Sequence, residues 1–348
     1  MTNIELIKEI SWVLSLASAK NKLDMPGEYV WAYPKDENFS ELQARSRSIF
    51  SSGNSIKDPT VIEYVQACNI NQYLRDPWIV NAFEENFVSW LTANTKHNLL
   101  NIELYKYIAF SAGTQESFTN FYLKNRNKRF RVLRGEYWWH MDVWSALGID
   151  WAYIEDDDIQ TNDITICSVP FALTGKKHKY LDSILEQSRK KNCEVMLDFI
   201  YLPNSTSPIE IDLAHDAISE ITFSFSKTFP VQCAKIAVRL TKNKPNDAMQ
   251  ISNDENICNR LSAGLAYNMI QKFPVDYMPR KYANKQKFWC DKLGLDTSPV
   301  VHFATGEDYG RPAWFSKFNN QQGRYNLGML FENEKLLKSL GYLDDLDV

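Results

Sequence analysis

The chain has no run approaching the roughly 20 consecutive apolar residues that a membrane-spanning helix needs. It has no dense lysine–arginine stripe either, and its formal net charge of −4 argues against a nucleic-acid partner. The one basic cluster, Lys176-Lys177-His178-Lys179, reads as the wet opening of an amphipathic helix. The six cysteines (Cys68, Cys167, Cys193, Cys233, Cys258, Cys290) form no Cys-x-x-Cys pair and show no Cys/His ligand spacing, so no metal site is expected. Cys167, Cys193 and Cys233 lie in or beside apolar runs, where cysteine acts as a small core residue. A reducing, cytoplasmic setting without disulfides is the expectation. Internal repeats and low-complexity tracts are also missing.

The 348 residues, 44% apolar and 24% charged, have the composition of an ordinary globular protein. That length accommodates one large core and a smaller lobe. Near the N-terminus, Trp12 to Ala19 superficially resembles a signal peptide. Glu5 and Glu9 oppose that reading, and Thr2-x-x-Glu5 makes a capping box. Ile4, Ile7, Ile10 (or Trp12) and Leu14 then give an amphipathic first helix.

Residues 36 to 60 read as loop around one short helix, and Val80, Phe83, Phe87, Trp90 and Leu91 form a helical stripe. From 105 to 240 short apolar strands alternate with helices. Strands fall at 107–110, 129–133, 151–154, 164–167, 194–197 and 220–225; helices fall at 115–123, 138–147 and 180–190. This alternation predicts an α/β fold with a mostly parallel central sheet sandwiched by helices. The tail carries helices near 256–272, 282–292 and 332–340 and strands near 300–303 and 324–327, a smaller C-terminal α/β lobe. The division expected is an N-terminal helix and substrate-side segment (1–60), a large α/β domain (61–250) and a small C-terminal domain (251–348).

In such sheets ligands bind beyond the strand ends. After Phe110 comes Ala112-Gly113-Thr114-Gln115 opening a helix, which makes an anion site or an ordinary cap. After Leu133 come Tyr137, Trp138 and Trp139, a flat face for a planar ring or simply buried area. After Leu197 come Asp198 and Tyr201. A carboxylate ending an apolar strand needs a cation or hydrogen bonds, and a protonated pyridine nitrogen is one such cation. After the strand at 220–225 comes Ser226-Lys227, with Lys235 eight residues on. A lone lysine there is ordinarily solvated; one held by a strand end can form a Schiff base.

Taken together, residues 70 to 240 resemble the fold-type I pyridoxal-phosphate enzymes, particularly the class I/II aminotransferases. The family's Asp-x-x-Tyr matches Asp198 and Tyr201, and its Ser-x-x-Lys matches Ser224 and Lys227 with Ser226 between them. The phosphate-binding arginine matches Lys235, and the Gly-Thr phosphate loop matches Gly113 and Thr114 after Ala112. The ring-stacking aromatic matches Trp138 best, with Tyr137 possible if the loop shifts. Tyr73 resembles the tyrosine that reaches the phosphate of a neighbouring subunit, which implies a homodimer. Arg324 resembles the substrate-carboxylate arginine, and Tyr137 is a further substrate-side candidate.

Three departures mark the chain as divergent. Ala172-Leu173-Thr174-Gly175 stands where the family has Asn-Pro-Thr-Gly, so Tyr201 is left alone at the ring oxygen. Lys235 replaces an arginine fork with a point charge. Pro230, Val231 and Gln232 replace glycines. The resemblance implies pyridoxal 5'-phosphate as cofactor and transamination of an amino acid or amino-acid-like amine through a Lys227 Schiff base. Decarboxylation, elimination or cyclisation on the same cofactor is the alternative, and a non-catalytic scaffold of the same fold is a third reading. The segments 25–60 and 305–322, expected to set specificity, carry no interpretable motif.

Overall fold

Side chains along a strand alternate between faces, and here both faces are apolar, which calls for helices on each side. The computed structural model describes residues 2–3, 5–7, 9–10, 13–14, 53–93, 96–307 and 322–343. Ile4, Trp12, Ala17-Ser18-Ala19, residues 36–52 of the loop expected from 36 to 60 and the segment 308–321 lie outside these residues. At the start of the chain the capping box forms: the Glu5 amide donates to Thr2 Oγ1 at 3.2 Å and the Thr2 amide to Glu5 Oε2 at 2.7 Å.

The strands are β1 (His97–Leu100), β2 (Tyr107–Ser111), β3 (Arg129–Val132), β4 (Trp151–Tyr153), β5 (Asp163–Ser168), β6 (Val195–Asp198), β7 (Ile209–Asp212), β8 (Ile218–Ser224), β9 (Ala237–Thr241), β10 (Asp296–Thr297), β11 (Phe303–Glu307) and β12 (Gln322–Asn326). Residues 3, 5–7, 9–10 and 13–14 are helical, and from residue 53 onward the α-helices among the described residues are α1 (Pro59–Ala67), α2 (Ile79–Thr92), α3 (Thr114–Lys124), α4 (Trp139–Ala146), α5 (Leu181–Lys190), α6 (Phe225–Thr228), α7 (Ala248–Asp254), α8 (Arg260–Lys272), α9 (Tyr277–Leu293), α10 (Gly328–Glu332) and α11 (Glu334–Ser339).

Seven strands form the central sheet in the order β2-β9-β8-β6-β5-β3-β4. Only β9 runs against the others. On one face Phe130, Ile164, Ile166 and Met196 pack with Phe118, Phe121 and Tyr122 of α3 and Met141 and Trp144 of α4. On the other, Cys167, Leu197, Ile221 and Phe223 join the larger core containing the α2 stripe. There Phe87 meets Phe223 edge-on with centroids 5.1 Å apart, and Trp90 stacks on Phe225 at 5.2 Å. The segment leading into α1 is pinned to α9: Asp58 caps the Val61 amide at 2.9 Å and also takes Tyr282 Oη at 2.8 Å and Lys281 Nζ at 2.7 Å.

Several sequence expectations change here. β9 and the two-stranded parallel pair β1–β7 were not foreseen. The helix expected near 256–272 begins only at Arg260, because Asn256 adopts φ +55° and Asn259 caps α8 by accepting the Ser262 amide at 3.1 Å; the preceding α7 was not foreseen. The strand expected at 300–303 starts only at Phe303 and pairs with β12, while Val300 makes an isolated bridge to Ser205.

Candidate active site

β2, β3, β5, β6 and β8 point the same way, so their C-terminal ends share one edge of the sheet. β9 runs backward, and its first residue, Ala237, pairs with both Ser111 and Ser224. Lys235, two residues earlier, is thereby delivered to that same edge. Residues separated by more than 100 positions converge there.

Asp198 ends β6 and is 1% exposed. Its Oδ1 accepts the Ile200 amide at 3.1 Å, and its other oxygen has no donor among the described residues. Burial, reinforced by the nearby Glu136 carboxylate, pushes its pKa well above the usual range. The charge of Lys227 acts in the opposite direction but does not offset the burial.

Lys227 sits in the single turn of α6, whose first residue is preceded by Ser224 as N-cap; Ser224 Oγ accepts the Ser226 amide at 3.2 Å. The Lys227 carbonyl is held by Asn204 Nδ2 at 2.7 Å. Burial first, then the cations Arg324 and Lys235, bring the amine down to about 8, with Asp198 opposing them. Above it lies Gly53. A Cβ there would stand 2.9 Å from the Tyr201 hydroxyl, 3.6 Å from Lys227 Nζ and 4.0 Å from the Arg324 guanidinium, so only glycine lets the backbone come this close.

Gly113 precedes α3 with φ +91°, a conformation suited to glycine, and leaves the first amides of the helix facing outward. The stem of Lys235, itself at φ +52°, packs on it: Lys235 Cδ is 3.7 Å from where a Gly113 Cβ would be. Ala112 is exposed and gives its amide to Glu116 Oε2 at 2.6 Å, while Thr114 is buried. Helix-start amides, a hydroxyl and a cation make a cradle for a phosphate.

Of the two aromatic candidates, Tyr137 is the one beside the carboxyl. Its pKa is raised by burial and by neighbouring Tyr201 and Asp198, and it lies within hydrogen-bonding reach of Gln115. Trp138 is 46% exposed at the start of α4. Tyr201 is buried, with its ring 5.0 Å from Phe303, and lies within hydrogen-bonding reach of Arg324. Arg324 also bonds the Ala172 carbonyl and covers the Phe303 ring at 4.4 Å.

The Tyr73 ring lies on Gly264, where a Cβ would come within 2.1 Å, and its hydroxyl donates to Asn268 Oδ1 at 2.7 Å within the same chain. Four residues were missed altogether: Gly53, Glu136, Asn204 and His302. His302 is fully buried, with Nδ1 3.5 Å from Asn204 Nδ2, and burial next to Arg324 and Lys227 drops it to about 3. The one sequence signal for Gly53 was its place in Ser51-Ser52-Gly53-Asn54-Ser55; His302 interrupts an apolar run.

No protein-family model and no curated protein matches this chain. Solved structures do. A PLP-bound C-S lyase from Staphylococcus hominis is 14% identical, covering 92% of this chain and 98% of its own, with a TM-score of 0.61. A probable N-succinyldiaminopimelate aminotransferase from Thermus thermophilus is 12% identical over 87% and 96%, with a TM-score of 0.59. Tyrosine aminotransferase from Leishmania infantum is 9% identical over 87% and 100%, also at 0.59. The fold is that of the fold-type I pyridoxal-phosphate enzymes. Within the fold-type I frame, the strand-end cluster occupies the edge where loops converge on a ligand. Among the described residues no helix is long and apolar enough to cross a membrane, no His/Cys/Asp/Glu group could hold a metal ion, and all six cysteines are free.

Proposed function

We propose that this protein is a pyridoxal-phosphate-dependent enzyme, in the first place an aminotransferase acting on an amino acid or amino-acid-like amine. The observation that carries the proposal is the convergence on one sheet edge of Lys227, the buried Asp198 carboxyl and the Gly113–Lys235 cradle. The residues fit the cofactor: a buried carboxyl awaits a ring cation, and the anion cradle lies at the start of α3. Bound there, the cofactor supplies an aldehyde that takes amines in exchange and a pyridinium ring that accepts electrons from the substrate carbon.

The remaining work falls to the chain. Thr114, the first amides of α3, Ser224, Ser226 and Lys235 would hold the phosphate. Asp198 would keep the ring nitrogen protonated, and Tyr137 rather than Trp138 would lie against the ring. Tyr201 would donate to the ring oxygen. Lys227, with an amine near 8, is partly neutral at physiological pH and carries the proton between substrate carbon and cofactor. Arg324 receives a substrate carboxylate.

The second reading is a lyase reaction on the same cofactor. It is favoured by Arg324 already being engaged with Ala172 and Tyr201. We place the protein in the cytoplasm on the strength of its free cysteines, and as a homodimer. Leu74, Trp78 and Ile257 are exposed large apolar side chains, and Leu74 and Ile257 line one surface pocket, which supports an interface there. The small lobe comprises the N-terminal segment and residues from about 251 onward.

The test is absorption spectroscopy with added cofactor, borohydride trapping and peptide mapping. Label on Lys227, bleaching of the visible band by an amino donor and release of a keto acid are expected. Turnover with an undiminished visible band favours the lyase reading, and colourless protein after cofactor addition sinks both.

A further inference from the structure

One buried charge at this edge has no place in the scheme above. Glu136 follows Gly135, whose φ of +93° turns the chain after β3, and its side chain is 3% exposed. Its Oε2 accepts the Ser168 amide at 2.8 Å. Its Oε1 accepts the Ser168 hydroxyl at 2.6 Å and the Tyr137 amide at 3.0 Å. Ser168 Oγ in turn accepts the Ala172 amide at 2.8 Å. Burial raises the Glu136 pKa above the usual carboxylate range, and the Ser168 hydroxyl, the Ser168 and Tyr137 amides and Arg324 all act in the opposite direction, toward the anion.

Its location gives that anion a consequence. Ser168 is the register partner of Asp198, and the Val169 amide donates to the Asp198 carbonyl at 2.9 Å. Glu136 thus joins three elements that each carry a site group: the turn bearing Tyr137, the turn bearing Ala172 and the end of β6 bearing Asp198. The titratable and charged groups that feel it are Asp198 and Tyr201 at the β6 end, Cys167 of β5, Tyr122 of α3, Tyr137 beside it and Arg324 of β12. Arg324 is the only cation among them.

We propose that Glu136 is a positioning residue for the cofactor end of the site. Its carboxylate staples Tyr137 to the Ser168–Ala172 turn and sets a second negative charge beside Asp198, strengthening the hold of Asp198 on a protonated ring nitrogen. This inference rests on the proposed cofactor. A neutral side chain of the same length keeps most of the shape and loses the charge; Glu136→Asp keeps the charge and shortens the reach.

The holoenzymes of wild type, Glu136→Gln and Glu136→Asp are to be titrated by visible absorbance, with cofactor loss on dialysis followed in parallel. Glu136→Gln is expected to lower the titration midpoint by about half a unit or more and to weaken cofactor retention roughly 3- to 10-fold. Glu136→Asp is expected to titrate with the wild type. A Glu136→Gln protein matching wild type in both readouts overturns the proposal, even if its melting temperature falls. Should Glu136→Gln not fold, Ser168→Ala keeps the charge and removes two bonds of the staple, to Glu136 and from the Ala172 amide. It is expected to lose cofactor faster at an unchanged midpoint, and wild-type retention there overturns the positioning role. Wild-type protein that takes up no cofactor sinks the proposed function itself, a result separable from the others.

Discussion

The amine of Lys227 offers a measurement that does not depend on which reaction the protein catalyses. Its pKa is brought down to about 8 from an ordinary 10.5, first by burial and then by Arg324 and Lys235. At pH 7 an amine at about 8 is roughly 9% neutral, whereas an ordinary lysine is roughly 0.03% neutral. Lys227 should therefore react with an acylating reagent about 300-fold faster than its neutral fraction as a surface lysine would allow. Competitive labelling of cofactor-free protein across a pH series, read peptide by peptide by mass spectrometry, gives the midpoint directly. Lys235→Gln and Arg324→Gln each remove a repelling charge, so each should raise that midpoint by about half a unit to one unit. The linkage has a definite sign. The folded state binds fewer protons than the unfolded chain between about 8 and 10.5, so Lys227 makes stability rise with pH in that window and contributes no slope well below it. Lys227→Met should lose that rise, seen as a flatter urea midpoint against pH. A labelling midpoint near 10 in the wild type, unmoved by either substitution, would refute the picture of a desolvated amine between two cations.

Two further outcomes follow from the surrounding packing. Glu84, raised to about 7 by burial, binds a proton in the folded state that it lacks when unfolded, so its contribution to stability falls as pH rises from about 4.5 to 7. Glu84→Gln should remove about 1–3 kcal/mol of that decline in paired denaturation curves, and identical pH profiles would contradict it. Gly264→Ala places a methyl within 2.1 Å of the Tyr73 ring and should cost about 1–3 kcal/mol in chemical unfolding, with Tyr73→Ala largely relieving the clash in a double mutant.

Several parts of the fold were readable because the signals are local. β5 and β6 are short apolar runs, α2 shows its stripe in one window, and strand alternated with helix on schedule. β9 escaped because Arg239 interrupts its apolar run. That arginine is 1% exposed and hidden only by its pairing with Asp247, at 2.5 and 3.0 Å. β1 and β7 escaped because each is four residues long and finds its partner about 110 positions away. Ile209-Glu210-Ile211-Asp212 does alternate apolar and polar, buried and exposed, but four residues are too few to announce such a pairing.

The site divides along the same line. Asp198, Ser224, Lys227 and Gly113 could be nominated from sequence because the strand-end rule needs only a strand and the residue after it. The choice between Tyr137 and Trp138 could not be made that way. It depends on where α4 begins, and with Trp138 as the residue before the first turn its ring faces solvent while Tyr137 turns toward Asp198. Tyr73 likewise depends on a distant glycine: only the missing side chain at Gly264 gives its ring a seat within its own chain. Glu136, Asn204 and His302 owe whatever they do to partners 32, 23 and 98 residues away. A glutamate in a turn, an asparagine after a proline and a histidine among valines are each unremarkable in sequence. They acquire meaning only when the sheet closes.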